Sequence, residues 1–283
     1  MDIAFDCIPC TIQSYLRLVH GNFIPESIQE NLLRRILVFL SEIPFDQSPP
    51  AMARDLHRLI REALDNDDPY REIKDRTNRM MMEKADALRQ QIKRSGDPFD
   101  TAMRLAIAGN VIDFGAKHLL DIDASIASVL KANLAIDHSA QLKQALKTAK
   151  TVLYIGDNAG EIVMDRLFME VIAHPNIYFA VRERPVLNDI TLADAKTVGI
   201  DQVAQPVTTG DDAPGVIWET SSPAFKTLFN EADVVISKGQ GNLEGLIDMP
   251  RPVYFLFVAK CDRIARRVNV AEKSFVVWKN TVK

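Results

Sequence analysis

Four short stretches of this chain bring together side chains able to hold a divalent cation and an anion. They are Gly156-Asp157-Asn158-Ala159-Gly160-Glu161, a run ending at Asn188-Asp189, Lys238-Gly239-Gln240-Gly241-Asn242, and Lys260-Cys261. Asp157, Asn158 and Asp189 are hard oxygen donors. Two carboxylates and an amide carbonyl, with waters completing the shell, suit Mg²⁺ or a divalent first-row ion such as Mn²⁺. The two carboxylates neutralise such an ion and leave room for a phosphoryl oxygen. Lys238 and Lys260 then read as counter-charges for the phosphate. The backbone N–H groups of Gly239, Gln240 and Gly241, in a turn leading into a helix, add donors. Each residue alone has an ordinary explanation as a helix cap or a solvated side chain. Their convergence favours function.

The elements that must position these residues lie in the second half. Apolar runs at 151–155, 177–181, 202–207, 233–236, 253–258 and 275–278 read as strands, with helices expected through Ile162–Ile172 and from Ile190 to Val198. Strands alternating with helices at this spacing give parallel βαβ units. Continuously apolar strands fit a sheet covered on both faces. The expected fold is therefore α/β, a doubly wound and mostly parallel sheet. In such sheets ligands bind beyond the carboxyl ends of the strands, and the four polar stretches fall immediately after apolar runs.

Residues 1–148 read as helical. Apolar residues recur at helical spacing through Ile12, Tyr15, Leu16, Leu18 and Val19 and through Ile28, Leu32, Leu33, Ile36, Leu37 and Leu40. Pro44, Pro49 and Pro50 break the chain before a third helix, and Asn66 to Pro69 stop that one. A long polar helix over about 70–94 and two more at 99–109 and about 123–133 complete this half. The expected organisation is a helical domain at 1–148 and an α/β metal- and phosphate-binding domain at 149–283.

Composition narrows the classes further. The chain has 283 residues, 47% of them hydrophobic and 25% charged, with a net charge of −4, so a sizeable core is expected and general attraction for nucleic acid is not. Arg263, Arg266 and Arg267 read as a solvated helix face. The first six residues hold two acids and no apolar segment, so no signal peptide is expected. No apolar run is long enough to span a membrane. Three cysteines are too few for a disulfide scaffold, and the chain reads as cytoplasmic. Cys7 and Cys10 read as helix-face residues near the domain junction. A metal or redox role for these two with Cys261 stays open, although a structural zinc needs about four ligands. The histidines show no pair at ligand spacing, and Met80, Met81 and Met82 read as helix packing.

In combination the motifs resemble the family first catalogued as domain of unknown function 89, the damage-control phosphatases. The resemblance rests on Gly156 to Glu161 with Asp165, on Leu187-Asn188-Asp189, and on Lys238 to Asn242. Cys7-x-x-Cys10 and Lys260-Cys261 resemble its microbial branch, and the stretch from Ala108 through Asn110 and Asp113 also resembles a family segment. The resemblance implies a helical N-terminal region on a Rossmann-like core and metal-dependent hydrolysis of small phosphorylated metabolites, sugar phosphates among them. It implies metal ligands at Asp157, Asn158 and Asp189, with Glu161, Asn242 and Lys260 near the substrate. Asn110 and Asp113 are further candidates reaching the site from the helical side. The ion, Mn, Ni, Co or Mg, is not fixed by these residues, nor is the oligomeric state. The expected mechanism is in-line attack by a metal-positioned water, with Asp189 or Glu161 orienting or deprotonating it and Lys238 and Lys260 stabilising charge. Two other readings remain: an S-adenosylmethionine-dependent methyltransferase, from the strand and turn at 152–160, and a non-catalytic sugar-phosphate binding protein.

Overall fold

A computed structural model describes residues 1–109 and 122–280. Its sheet has seven strands: β1 (Leu134–Asp137), β2 (Val152–Ile155), β3 (Ile177–Val181), β4 (Gln205–Thr208), β5 (Val234–Lys238), β6 (Tyr254–Val258) and β7 (Phe275–Lys279). Their order is β1-β7-β6-β5-β2-β3-β4. All neighbours run parallel except β6 and β7. From β2 the chain winds outward through β3 and β4, then returns to β5 on the other side of β2. The winding therefore reverses between β2 and β5, which is where open sheets form a ligand crevice.

The helices among the described residues are α1 (Cys7–His20), α2 (Glu26–Glu42), α3 (Pro49–Leu64), α4 (Arg71–Arg94), α5 (Pro98–Ala108), α6 (Ile122–Lys131), α7 (Ser139–Thr148), α8 (Glu161–Ile172), α9 (Leu192–Val198), α10 (Pro223–Glu231), α11 (Gly239–Leu246) and α12 (Asp262–Val268). One face of the sheet, through Tyr154, Phe179, Ile236 and Leu256, packs on Met81 of α4, Leu105 of α5 and Phe168 of α8. The other, through Leu153, Val235 and Phe255, packs on Phe225 of α10, Leu243 of α11 and Ile264 of α12. Strands β2, β5 and β6 are buried at every position, as expected of strands covered on both sides.

The first 148 residues divide differently from the expected single helical domain. Helices α1 to α3 enclose a core of their own, with Tyr15, Leu32, Ile36, Leu56 and Ile60 and no strand residue. Helices α4 to α7 instead contribute to a layer against the sheet. Strand β1 lies before the expected boundary and pairs with β7. Its four residues alternate between half-buried and exposed, too short a run for hydrophobic period to distinguish from a helix end. The strand expected over 202–207 begins at Gln205, after a 3₁₀ turn at Ile200–Gln202. Strand β5 runs on to Lys238, so that lysine belongs to the strand rather than to the loop beyond it. Helix α9 begins at Leu192, two residues later than expected, because Thr191 and Asp194 form a capping box.

Helix α3 docks the N-terminal unit over the loops that follow β3 and β4. Arg54 pairs with Asp211, Arg58 and Arg61 pair with Asp212, and Arg61 also donates to the Pro185 carbonyl. Ala51 packs on Ala213 and Ile217 beside them. Burial alone raises the Asp212 carboxyl, but hydrogen bonds and charge from Arg58 and Arg61 outweigh it and hold it at about 2. A carboxylate held below its ordinary value near 4 gives stability that is complete above that value and lost as pH falls toward 2. Asp212→Asn is therefore expected to lower unfolding free energy by about 2 kcal/mol at pH 7, with the deficit shrinking toward pH 2. Urea unfolding at both ends of this range checks it, and a deficit independent of pH removes the ion-pair account.

Candidate functional site

The turn after β2 is locked to the turn after β3 by the backbone. Ile190 N donates to the Asp157 carbonyl at 3.0 Å and Ala159 N to the Asn188 carbonyl at 2.9 Å. Asn158 and Asp189 form an isolated antiparallel bridge. Asp157, Asn158 and Asp189, distant in sequence, are thus set side by side by main-chain bonds. Gly156, which precedes them, faces inward: a methyl there would lie 2.5 Å from Ile190 Cδ1 and 2.7 Å from Phe179 Cζ. The space that a methyltransferase turn would offer to its cofactor is filled by core side chains. Gly160 opens α8 with φ of 79°. Its N–H donates to Asn78 Oδ1 at 2.7 Å, and Asn78 donates in turn to Asp194 at 3.1 Å. Asn78 sits in the long polar helix α4, where nothing in the sequence distinguishes one buried amide from its solvated neighbours.

Lys238 has a different role from the expected phosphate counter-charge. It is fully buried, and its ammonium donates to the Ala106 carbonyl at 2.7 Å, to Glu161 Oε1 at 2.5 Å and to Asp165 Oδ1 at 2.7 Å. An ammonium has three hydrogens, and all three are taken. Tyr154 OH adds a 2.6 Å bond to the same Asp165 oxygen. Burial lifts the Asp165 carboxyl to about 6 even with Lys238 opposing, while the two carboxylates raise the Lys238 ammonium against its own burial. Glu161, expected near substrate, lies fully buried in this cluster, with Oε2 at 3.4 Å from the Asn158 amide nitrogen.

The glycine-rich turn is divided between the site and the scaffold. Gly239, with φ of +76°, abuts Asp157: a methyl there would lie 2.1 Å from its Oδ2. The N-terminus of α11 therefore closes directly on that carboxylate. Gly241 instead faces the Pro214 carbonyl, 2.2 Å from where a methyl would be. Asn242, also expected at the substrate, is buried and bonded to the backbone at the Gly156 and Lys238 carbonyls and the Val216 N–H. It braces three segments. Gln240 accepts from Lys260 N at 2.9 Å and donates to Glu244 and Cys261, tying down the turn after β6. Lys260 is exposed at the rim, and its charge acts on Asp157. Asn110 and Asp113 lie outside the described residues, although Gly109 just before them lies against Glu161, with a methyl there 2.6 Å from its Cγ.

Asp157 and Asp189 are buried, at 7% and 3% exposure. Burial, then the charges of Asp189 and Glu161, push the Asp157 carboxyl up to about 8 against Arg182 and Lys260. Burial also raises Asp189, with Arg182 opposing. Arg182, whose role was not anticipated, donates from Nε to Asp189 Oδ2 at 2.8 Å, with Nη2 3.7 Å from Asp157 Oδ1. Two buried carboxylates that disfavour each other's charge, beside an amide, match the hard-donor set of a small divalent ion. Among the described residues no three Asp, Glu, His or Cys side chains gather to hold a metal. Asn158 is half-buried, and two surface hollows, of about 240 and 750 Å³, lie along α4, beside Arg89 and Gln91. Cys7, Cys10 and Cys261 are free thiols; burial raises the Cys10 thiol against Arg17, with Cys7 and Cys261 close enough to add to the shift.

Residues 3–276 match the family model described as the damage-control phosphatase ARMT1-like domain. The chain belongs to this family. A damage-control phosphatase of Pyrococcus horikoshii is 32% identical over 289 residues, covering all of both chains. A damage-control phosphatase of Archaeoglobus fulgidus is 33% identical over 227 residues, 77% of this chain and 78% of that one. An uncharacterized protein of Methanocaldococcus jannaschii is 34% identical over 278 residues, 94% of this chain and 91% of its own. The crystal structure of a domain-of-unknown-function-89 protein from Pyrococcus horikoshii superposes with a TM-score of 0.92 at 31% identity, covering 99% of this chain and all of that one. The family and the α/β fold are those expected from the motifs, and the named relatives support a phosphatase role.

The raised Asp157 carboxyl has a measurable sign. A folded-state value near 8, above the ordinary value near 4, means that the metal-free folded protein holds this proton more tightly than the unfolded chain. Its contribution to stability is complete below about 4 and lost as pH rises toward 8. Asp157→Asn, which cannot ionise, is expected to melt about 2 °C or more above the metal-free wild type at pH 8. The two should converge toward pH 4. Thermal unfolding in EDTA reads the difference, and equal melting temperatures at pH 8 contradict the burial of an ionising carboxylate.

Proposed function

We propose that this chain is a metal-dependent phosphomonoester hydrolase of small phosphorylated metabolites such as sugar phosphates, with Asp157, Asn158 and Asp189 holding a divalent ion. One observation carries the reading. The bridge between Asn158 and Asp189 sets two buried carboxylates and an amide side by side next to the strand where the winding reverses. The named relatives support the phosphatase class; the ion and the substrate class are the proposal's own.

A bound divalent ion supplies Lewis acidity toward the phosphoryl oxygen and lowers the pKa of a coordinated water. The protein's residues divide the remaining work. Asn158 donates its Nδ2 to Asp157 and Glu161, which leaves its carbonyl oxygen as the atom for the cation. Lys238 holds Glu161 in place from below rather than meeting the phosphate. The N-terminus of α11 directs its first backbone N–H groups and positive dipole end toward the anion, at the point where Gly239 meets Asp157. Lys260 stands exposed at the rim as a counter-charge. A proton from the attacking water needs an acceptor. Asp189 and Glu161 are the carboxylates placed to take it, each already held by a cation, Arg182 and Lys238 respectively.

The test is phosphate release from sugar phosphates and a chromogenic phosphate ester, in EDTA and after restoring Mg²⁺, Mn²⁺, Co²⁺ or Ni²⁺. Turnover is expected only with metal, falling on the order of 10³-fold in Asp157→Ala and Asp189→Ala, together with loss of the metal-induced rise in melting temperature. Lys260→Ala is expected to raise KM about tenfold with a smaller change in kcat, since it removes an exposed charge. No turnover with any of these ions in folded protein overturns the reading for these substrates.

A further inference from the structure

We infer that Arg182 contacts the phosphoryl group of the substrate directly, through the fork formed by Nη1 and Nη2; the inference rests on the phosphatase reading above. Arg182 follows β3, and its backbone N–H donates to the Ile190 carbonyl at 2.9 Å, which fixes the residue at the carboxyl edge of the sheet. Its side chain is 1% exposed, and only Nε is engaged, on Asp189 Oδ2 at 2.8 Å. Nη1 and Nη2 are buried without a hydrogen-bond partner. Nη2 lies 3.7 Å from Asp157 Oδ1, within reach of its charge but beyond hydrogen-bond distance.

Such a group needs a reason. Leaving a buried donor unpaired costs about 1–3 kcal/mol, and more for a charged one. If Arg182 served only to hold Asp189, two parallel hydrogen bonds to that carboxylate would be the stronger arrangement. Instead one edge is spent on Asp189 and the terminal fork is left over. That fork is planar and matches two oxygens of a phosphate.

Charge balance points the same way. Asp157 and Asp189 cancel a divalent ion, so a phosphomonoester dianion requires positive charge from elsewhere. Lys238 has no hydrogen left, and Lys260 stands exposed at the rim. Arg182, lying against both Asp157 and Asp189, is the buried cation with donors still to give. A ligand reaching an ion held by those carboxylates meets it.

The experiment measures Mn²⁺ binding and inorganic phosphate binding separately, by calorimetry, in wild type, Arg182→Lys and Arg182→Met, with circular dichroism to confirm folding. In both variants the expected Mn²⁺ affinity is within about threefold of wild type or tighter, because the neighbouring positive charge is kept in Arg182→Lys and removed in Arg182→Met. Phosphate affinity in the presence of Mn²⁺ is expected to fall about 100-fold, as two charge-assisted hydrogen bonds are lost. Added methylguanidinium should partly restore turnover in Arg182→Ala. Parallel loss of Mn²⁺ and phosphate affinity would show that Arg182 only positions Asp189 and overturn the inference. So would unchanged phosphate affinity. A wild-type crystal soaked with Mn²⁺ and vanadate decides the matter even where the variants fail to fold: Nη atoms beyond hydrogen-bond reach of the vanadate oxygens overturn it. Wild-type protein that binds neither phosphate nor vanadate with any metal sinks the phosphatase reading itself, a different result from a variant that binds them normally.

Discussion

The rest of the site depends on one buried ammonium. Lys238 joins the end of β5 to Glu161 and Asp165 on α8 and to the last turn of α5 through the Ala106 carbonyl. Its desolvation is offset only because every hydrogen has an acceptor and two of those acceptors are carboxylates. Removing one member of such a cluster leaves a buried charge uncompensated, which costs about 3–5 kcal/mol. The cluster lies directly behind the turn that carries Asp157 and Asn158, and Glu161 belongs to both. The first turn of α8 therefore cannot rotate away from the sheet without breaking the ion pairs. A static floor under the turn is what the proposed metal site would need, since preorganised electrostatic catalysis requires fixed charges.

Above that floor the charges are arranged in the opposite sense. Below, the ammonium has an acceptor for each of its hydrogens and the cluster is closed to solvent. At the mouth, Asp157 and Asp189 are buried with less compensation than burial demands, and Asp157 accordingly holds its proton to about 8. Native structures tolerate such imbalance where a ligand supplies the missing charge. The α11 N-terminus, Arg182 and Lys260 surround the same point from three elements. The stability that the fold loses there is recovered in the apolar layers on both sides of the sheet.

Much of this was legible in the chain, and the misses have physical causes. The central strands read correctly because they are buried on both faces and therefore continuously apolar, and the rule that ligands bind at strand carboxyl ends located the loops. What a sequence does not display is the direction in which a side chain points. Lys238 was misread because β5 was expected to stop at Ile236. Once the strand extends to Lys238, its two-residue period places that lysine on the face of Val234 and Ile236, toward α8, and its burial follows. Asn242 was misread for a related reason: an amide after a glycine-rich turn serves a phosphate or a backbone equally well until its neighbours are known. Arg182 lay in a run of charged residues with Glu183 and Arg184, and only burial separates it from them. Strand β1 was too short and too half-exposed to register. The division of the helical half at α3 was hidden because both parts carry the same helical period.

The sheet order also has a consequence for synthesis. Strand β7 lies between β1 and β6, and β1 finds no partner in the sheet until the residues of β7 have been made. His138 beside β1 bonds Lys279 across 141 positions of sequence. Strands β2 to β6 can pair among themselves without β7, but β1 has no partner in the sheet without it. Closing so long a loop adds little to the equilibrium cost, which grows only with the logarithm of length. Its effect is on timing, since pairings distant in sequence form late. The edge of the sheet farthest from the candidate site is thus the last to be sealed, and the Lys238 cluster can be complete before β1 is paired.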